Sequence, residues 1–441
     1  MTRMSALKAL FLLTALGSLC SCSRASGGTE QPAPSTAPVA PVVDAAAKPA
    51  AVLAPAARNV VLITVDSLRA DMPWAGYPKP IAPRLTAFAE KSAVYTNFYA
   101  VSSYTSASVA GMLAGKTPSE LLRSGYFFNS YPAKNLFFPE LLKDAGVRTT
   151  SAQAHWYFGT AGWDQGFETW ELIAKLKKNP LTDEEITGPR HTAMAIKQLA
   201  VSDKDNRPFF AWYHYMDPHD QYLPHPDVSP DFGKGNRARY DGEVYFADKA
   251  IGELLDYIDK APWGKDTIVM VSADHGEAFG EHGRTRHAFE VWETLVRVPL
   301  LVRGPGVVAR RIEQRRSAVD IAPTVMDLFG KVAPRGTFAG QSLVAELRGA
   351  AAPERDSVVD LPETSTNDKR RALYHGTLKA MRSGDSFVQV FDLANDPGEE
   401  KPLKGPEREE MIRALKAYDQ EHPDVPATQC GKGCLHSTTS K

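Results

Sequence analysis

The feature that most limits what this chain can become is a run of apolar, largely β-branched residues, Val60-Val61-Leu62-Ile63-Thr64-Val65, that stops at Asp66. The run has no polar alternation, so it reads as a strand covered on both faces, as in the interior of a parallel sheet. Two more runs behave the same way. Pro208-Phe209-Phe210-Ala211-Trp212-Tyr213-His214-Tyr215-Met216 stops at Asp217-Pro218-His219, and Thr267-Ile268-Val269-Met270-Val271-Ser272-Ala273 stops at Asp274-His275-Gly276-Glu277. Between them lie helical patterns at 81–90, with proline in the first turn, and at 245–258, with apolar residues at three- and four-residue spacing. Strands that alternate with helices make the class α/β.

Open parallel sheets bind ligands beyond the carboxyl ends of their strands, and each run delivers an acid or a histidine to that edge. Taken singly, Asp66, Asp217 and Asp274 also suit turns and helix caps, where Asp is favoured for local hydrogen bonding. Taken together, with His219 and His275 adjoining, they read as a functional cluster. Asp66, Asp274 and His275 are ligands of the kind that hold one divalent metal. An all-oxygen cage would suit calcium or magnesium; the imidazole moves the preference to manganese or zinc, with calcium as the alternative.

The chain has 441 residues with 51 basic and 52 acidic side chains, so nothing in its charge points to nucleic acid. Arg3 and Lys8 precede an apolar run at 9–16 that is too short to span a bilayer and reads as a signal-peptide core. It ends in Leu19-Cys20-Ser21-Cys22, which resembles a bacterial lipobox and makes 1–22 a lipoprotein-type leader with Cys22 as the lipidated residue. A plain cleaved leader is the alternative, and both imply export to the cell envelope, periplasmic or cell-surface. Residues 23–57 are rich in Ala, Pro and Ser, too poor in large apolar groups to fold, and read as a tether. Cys430 and Cys434, in a tail at 426–441, suit a small-loop disulfide better than a zinc site, because no pair of histidines lies nearby.

One more stretch stands out, Ser102-Ser103-Tyr104-Thr105-Ser106-Ala107-Ser108-Val109-Ala110-Gly111-Met112-Leu113-Ala114-Gly115. A hydroxyl ahead of a small-residue helix ordinarily satisfies an orphan backbone N–H, so capping is the reading this segment supports by itself.

The segment 59–71 resembles the first metal-binding strand of the sulfatase family, within the alkaline phosphatase superfamily. His214-Tyr215-Met216-Asp217-Pro218-His219 resembles its central His-Tyr-x-Asp-Pro-His motif, and Ser272-Ala273-Asp274-His275-Gly276-Glu277 its second metal strand. Segments at 297–306, 319–328 and 391–400 match further family stretches in the same order. The resemblance implies an alkaline-phosphatase-like core at 58–340, with a large, mostly parallel sheet flanked by helices. It also implies a smaller C-terminal α+β subdomain at 341–425.

Sulfatases of the usual type carry Cys-x-Pro-x-Arg or its Ser version, whose first residue becomes formylglycine. Counting back from Gly115-Lys116, the nucleophile position is Thr105 and the arginine position is Val109, so no formylglycine is expected. Related phosphoethanolamine and phosphoglycerol transferases place an unmodified threonine there. The implied metal shell is Asp66, Thr105, Asp274 and His275, with Ser67 where many relatives have a second Asp. His219 is the implied proton donor to the leaving alcohol; His287 lies where many sulfatases bind substrate through Lys, and His155 lies in the region of another substrate-binding motif. Glu277 is read as an acceptor for His275.

The expected function is metal-dependent hydrolysis of sulfate or phosphate esters, on a small-molecule, glycan or lipid substrate. Threonine inclines the chemistry toward phosphoryl esters or group transfer. Two alternatives stay open: a phosphoryl-group transferase, and a non-catalytic glycan-binding protein of the same fold.

Overall fold

The computed structural model, which describes residues 57–160, 162–176 and 186–428, places the three apolar runs side by side in one sheet. The leader, the tether as far as residue 56, and Cys430 and Cys434 lie outside the described residues. No helix among the described residues is long and apolar enough to cross a membrane.

The first strands in chain order are β1 (Asn59–Val65), β2 (Ala93–Tyr99), β3 (Arg148–Gln153), β4 (Thr169–Leu172), β5 (Phe209–Tyr215) and β6 (Thr267–Ala273). A short hairpin, β7 (Ala278–Phe279) with β8 (Thr285–Arg286), follows and stays apart from the sheet. Then come β9 (Arg297–Arg303), β10 (Arg310–Ile312) and β11 (Arg316–Ser317). Among the described residues the main sheet has nine strands in the order β10-β2-β9-β6-β1-β5-β3-β4, with β11 beside the end of β2. From β6 to β4 every pairing is parallel, and β9 alone runs against its neighbours. Every residue of β1, β5 and β6 is buried, which accounts for the unbroken apolar runs.

Helices cover the sheet, including Gly188–Leu199, which packs on the long helix Asn236–Lys260. That long helix begins nine residues before its expected start at 245. The helix Thr105–Ala114 is small-residued because it is buried almost throughout. It stops at Gly115, whose φ of 61° lies in the left-handed region that glycine tolerates.

The C-terminal part is a four-stranded antiparallel sheet, β12 (Ser357–Leu361), β13 (Arg370–His375), β14 (Leu378–Ser383) and β15 (Phe387–Asp392), with the helix Pro406–Glu421 against it. Val359, Leu361, Tyr374 and Phe391 of this sheet share an apolar cluster with Tyr99 and Tyr104, and the Tyr99 and Tyr374 rings are 4.5 Å apart. Tyr104 immediately precedes Thr105. The second sheet therefore braces the turn that carries Thr105, through aromatic burials of about 1.5–3 kcal/mol each.

Candidate active site

In the sheet register Val65 is paired with Tyr215 on one side and Ala273 on the other. The next residues of β1 and β6, Asp66 and Asp274, therefore leave the sheet together at its carboxyl edge. Asp66, Asp274 and His275 are all buried, and each offers a ligand atom within 4.8 Å of the others. Gly276 lets the chain turn immediately afterwards, since a side chain there would put its Cβ 2.2 Å from the Thr294 carbonyl oxygen.

Thr105 opens its helix, but its hydroxyl does not cap it. Thr105 Oγ1 lies 3.2 Å from Asp66 Oδ2 and 3.1 Å from His275 Nε2. His275 Nδ1 is 3.0 Å from the Gly276 carbonyl oxygen, which can only accept, so Nδ1 carries the proton and Nε2 keeps its lone pair toward Thr105. Burial, reinforced by the nearby His287, pushes the His275 pKa down to about 3 and keeps the ring neutral.

The carboxylates are unequal. Burial opposes the charge of Asp66, yet His219, a hydrogen bond from His214, and His275 outweigh it and hold this group well below the ordinary carboxylate range. Burial and then the Asp66 charge push Asp274 well up. Asp274 Oδ1 accepts from the backbone N–H groups of His275 at 2.9 Å and Ser67 at 3.3 Å, while the buried Oδ2 has no hydrogen-bond partner. Two adjacent buried carboxylates, one oxygen unpartnered, an imidazole lone pair and a hydroxyl form the donor set of a divalent cation. The residues fit the metal expected from the sequence.

His287 joins the cluster. Its ring centroid is 4.2 Å from that of His275 and 5.0 Å from that of His219. His219 Nδ1 is 2.7 Å from the Asp220 carbonyl oxygen, which leaves Nε2 free for a substrate. His155 precedes a short 3-10 helix, and its Nδ1 accepts from the Tyr157 N–H at 3.3 Å. Burial, and then His219, push its pKa down to about 3, so His155 offers a neutral ring. Val109, at the arginine position, is fully buried in the apolar core and brings no cation.

Two expectations are corrected by the geometry. Glu277 does not accept from His275; both its carboxylate oxygens lie 3.3 Å from His287 Nδ1, because the β7–β8 hairpin folds His287 back over it. Asp217 stays out of the cluster, accepting from the Thr187 hydroxyl at 2.8 Å and the Thr187 N–H at 3.4 Å at the start of the helix Gly188–Leu199. Two residues that sequence reasoning missed are His214, with Nε2 3.3 Å from Asp66 Oδ2, and Ser67, whose hydroxyl donates to Asp66 Oδ1 at 2.8 Å. His214 sits inside β5 rather than beyond its end, and Ser67 stands in the sequence only where many relatives have a second Asp.

A sheet with this strand-end cluster has a known counterpart. The Sulfatase family model matches residues 58–331. The chain belongs to the sulfatase family. It is 27% identical over 421 residues to the ulvan-active sulfatase of Formosa agariphila, covering 82% of this chain and 80% of that one. It is 23% identical to the choline-sulfatase of Rhizobium meliloti, covering 84% and 87%. The crystal structure of Ps i-CgsB in complex with k-i-k-neocarrahexaose shares the fold, with a TM-score of 0.72 at 16% identity over 85% of this chain and 95% of that one. The chain is thus a sulfatase-like hydrolase of the alkaline phosphatase superfamily.

In this sulfatase, Asp217→Ala is expected to cost about 1–2 kcal/mol of stability, the worth of a lost helix cap. Denaturant unfolding would measure that loss. Metal affinity, followed by calorimetry, should stay at the parent value because Asp217 faces the helix.

Proposed function

We propose that the protein hydrolyses sulfate or phosphate esters with Thr105 as the nucleophile, and that it does so without formylglycine. The observation that carries this reading is the approach of Thr105 Oγ1 to Asp66 Oδ2 and His275 Nε2, beside the unpartnered Asp274 Oδ2. Asp66, Asp274, His275 and Thr105 would hold one divalent cation, manganese or zinc before calcium, which supplies Lewis acidity to the hydroxyl and to the ester anion.

Thr105 Oγ1 gives up its proton to solvent and attacks sulfur or phosphorus while the bond to the leaving oxygen breaks. His219 donates a proton to that oxygen through Nε2, and His287, held by Glu277, stands beside it. His155 lines the substrate side as a neutral partner. Water then attacks the same sulfur or phosphorus of the threonine ester, releasing the inorganic anion and restoring the hydroxyl. Formylglycine hydrate can expel sulfate through its second hydroxyl, and threonine has no such exit. That difference favours a phosphoryl ester, or transfer to a second alcohol, as the variant reading. The names of the relatives support a sulfated glycan or a small sulfated molecule as substrate. A purely glycan-binding role is disfavoured, because binding alone needs no hydroxyl among metal ligands.

The purified protein, stripped and reloaded with manganese, zinc or calcium in turn, is expected to cleave at least one nitrophenyl ester among sulfate, phosphate, phosphodiester and phosphonate. Inertness of every metal form toward every ester would overturn the reading. The ester cleaved fastest identifies the bond.

We further propose that Cys22 carries a lipid anchor that holds the enzyme at the cell envelope through the tether, on the strength of Leu19-Cys20-Ser21-Cys22. Expressed in a bacterium with lipoprotein processing, the parent chain should incorporate labelled palmitate and sediment with membranes. Cys22→Ala should lose both properties, and a parent chain that stays unlabelled and soluble would refute the anchor.

A further inference from the structure

The metal-site reading leaves a buried hydrogen-bond chain behind Asp66 without a role. Trp212 Nε1 donates to Thr64 Oγ1 at 2.9 Å, Thr64 Oγ1 lies 2.8 Å from His214 Nδ1, and His214 Nε2 lies 3.3 Å from Asp66 Oδ2. All four side chains are fully buried, so water cannot substitute for any link. The arrangement follows from the sheet: Trp212 and His214 are two residues apart on β5 and face the same way, and Thr64 of β1 is in register with His214.

The proton positions follow from what each group can do. The Asp66 carboxylate only accepts, so His214 Nε2 carries a hydrogen. An indole N–H only donates, so it fills one lone pair of the Thr64 oxygen. The Thr64 hydrogen then has one outlet among the described residues, His214 Nδ1. We propose that Trp212, Thr64 and His214 form a relay that fixes the ring of His214 with its Nε2–H aimed at Asp66. On this assignment His214 is a positioning residue that fixes the plane of the Asp66 carboxylate toward the metal and Thr105.

Ser67 holds the other carboxylate oxygen, Oδ1, at 2.8 Å, so Asp66 is pinned from both sides while its charge stays available to the cation. The relay rests on the metal-site reading, and its test separates the two.

The test is a cobalt(II) titration of metal-free protein, read by its visible absorption and by calorimetric affinity. Thr64→Val removes the relay hydroxyl and is expected to weaken cobalt binding about 10- to 100-fold, the usual effect of losing a group that orients a metal ligand. Thr64→Ser keeps the hydroxyl and should bind within about threefold of the parent. If Thr64→Val does not fold, the double variant Thr64→Val/Trp212→Phe, which strands no indole N–H, takes its place. The absorption bands of bound cobalt should be the same in all variants, His214→Gln included, because the relay adds no ligand. Parent-like affinity in Thr64→Val, or equal losses in Thr64→Val and Thr64→Ser, would overturn the relay. A band shift confined to His214→Gln would also overturn it, by making His214 a direct ligand. A parent protein that takes up no cobalt would instead remove the metal reading itself.

Discussion

Thr105→Ala should abolish turnover, by about 10³-fold or more, whichever ester proves to be the substrate. The expected size is that of losing a nucleophile for which no neighbouring group substitutes. The next residue, Ser106, donates to Asn129 Oδ1 at 3.2 Å. Ser108 donates to the backbone carbonyl of Asp274. Thr105→Ser keeps the oxygen and loses a methyl that restrains its rotamer, so it should turn over within about 10-fold of the parent. Asp66, Asp274 and His275 all remain in Thr105→Ala, so metal uptake should survive its loss of activity. Initial rates and calorimetry on the same preparations separate the two effects, and a fully active Thr105→Ala would remove Thr105 from the chemistry.

The second large effect is expected at Asp274. In the metal-free protein two carboxylates lie buried side by side, and Asp274 Oδ2 has no partner. An uncompensated charge in such a place costs stability, and a cation relieves the cost only when both carboxylates are present. Asp274→Asn keeps an oxygen for the N–H groups of Ser67 and His275 and turns an amide nitrogen toward Asp66. Its metal-free form should therefore unfold at or above the temperature of the metal-free parent, while activity falls to background. Metal at a hundredfold excess over its dissociation constant should stabilise the parent by about 2.7 kcal/mol and the variant not at all. Thermal melts with and without metal would show this crossing. A metal-free variant that melts clearly below the parent would make Asp274 a structural residue.

What could be read from the sequence follows from what is local. The strands β1, β5 and β6 were legible because buried parallel strands leave unbroken apolar runs, and their stops at Asp66 and Asp274 located the cluster. The start of the helix Asn236–Lys260 was hidden, because its first turns carry Arg237, Arg239, Asp241 and Glu243 and read as a polar loop. In the fold Arg237 pairs with Asp71 at 2.8 Å and, one helical turn on, with Asp241 at 2.9 Å, and Lys79 reaches Asp241 at 3.1 Å. The partner of Glu277 was likewise invisible. It depends on a return of the chain through Arg286, Ala288 and Phe289, all at positive φ, which no residue pattern announced. His214 was quoted within a motif, but its task is set by its neighbours Thr64 and Asp66 on another strand.

Thr105 changes standing most between the two views. Its segment reads as a helix cap by itself, and Val109 removes the signal for formylglycine, yet the fold turns this one hydroxyl toward Asp66 and His275. The most direct measurement is the intact mass and peptide map of the metal-loaded enzyme, acid-quenched during turnover of its best nitrophenyl ester. An unmodified threonine at 105 is expected in the resting enzyme, and one sulfo or phospho group on that same residue in the quenched sample. Formylglycine at 105, or an adduct on any other residue, would contradict that expectation.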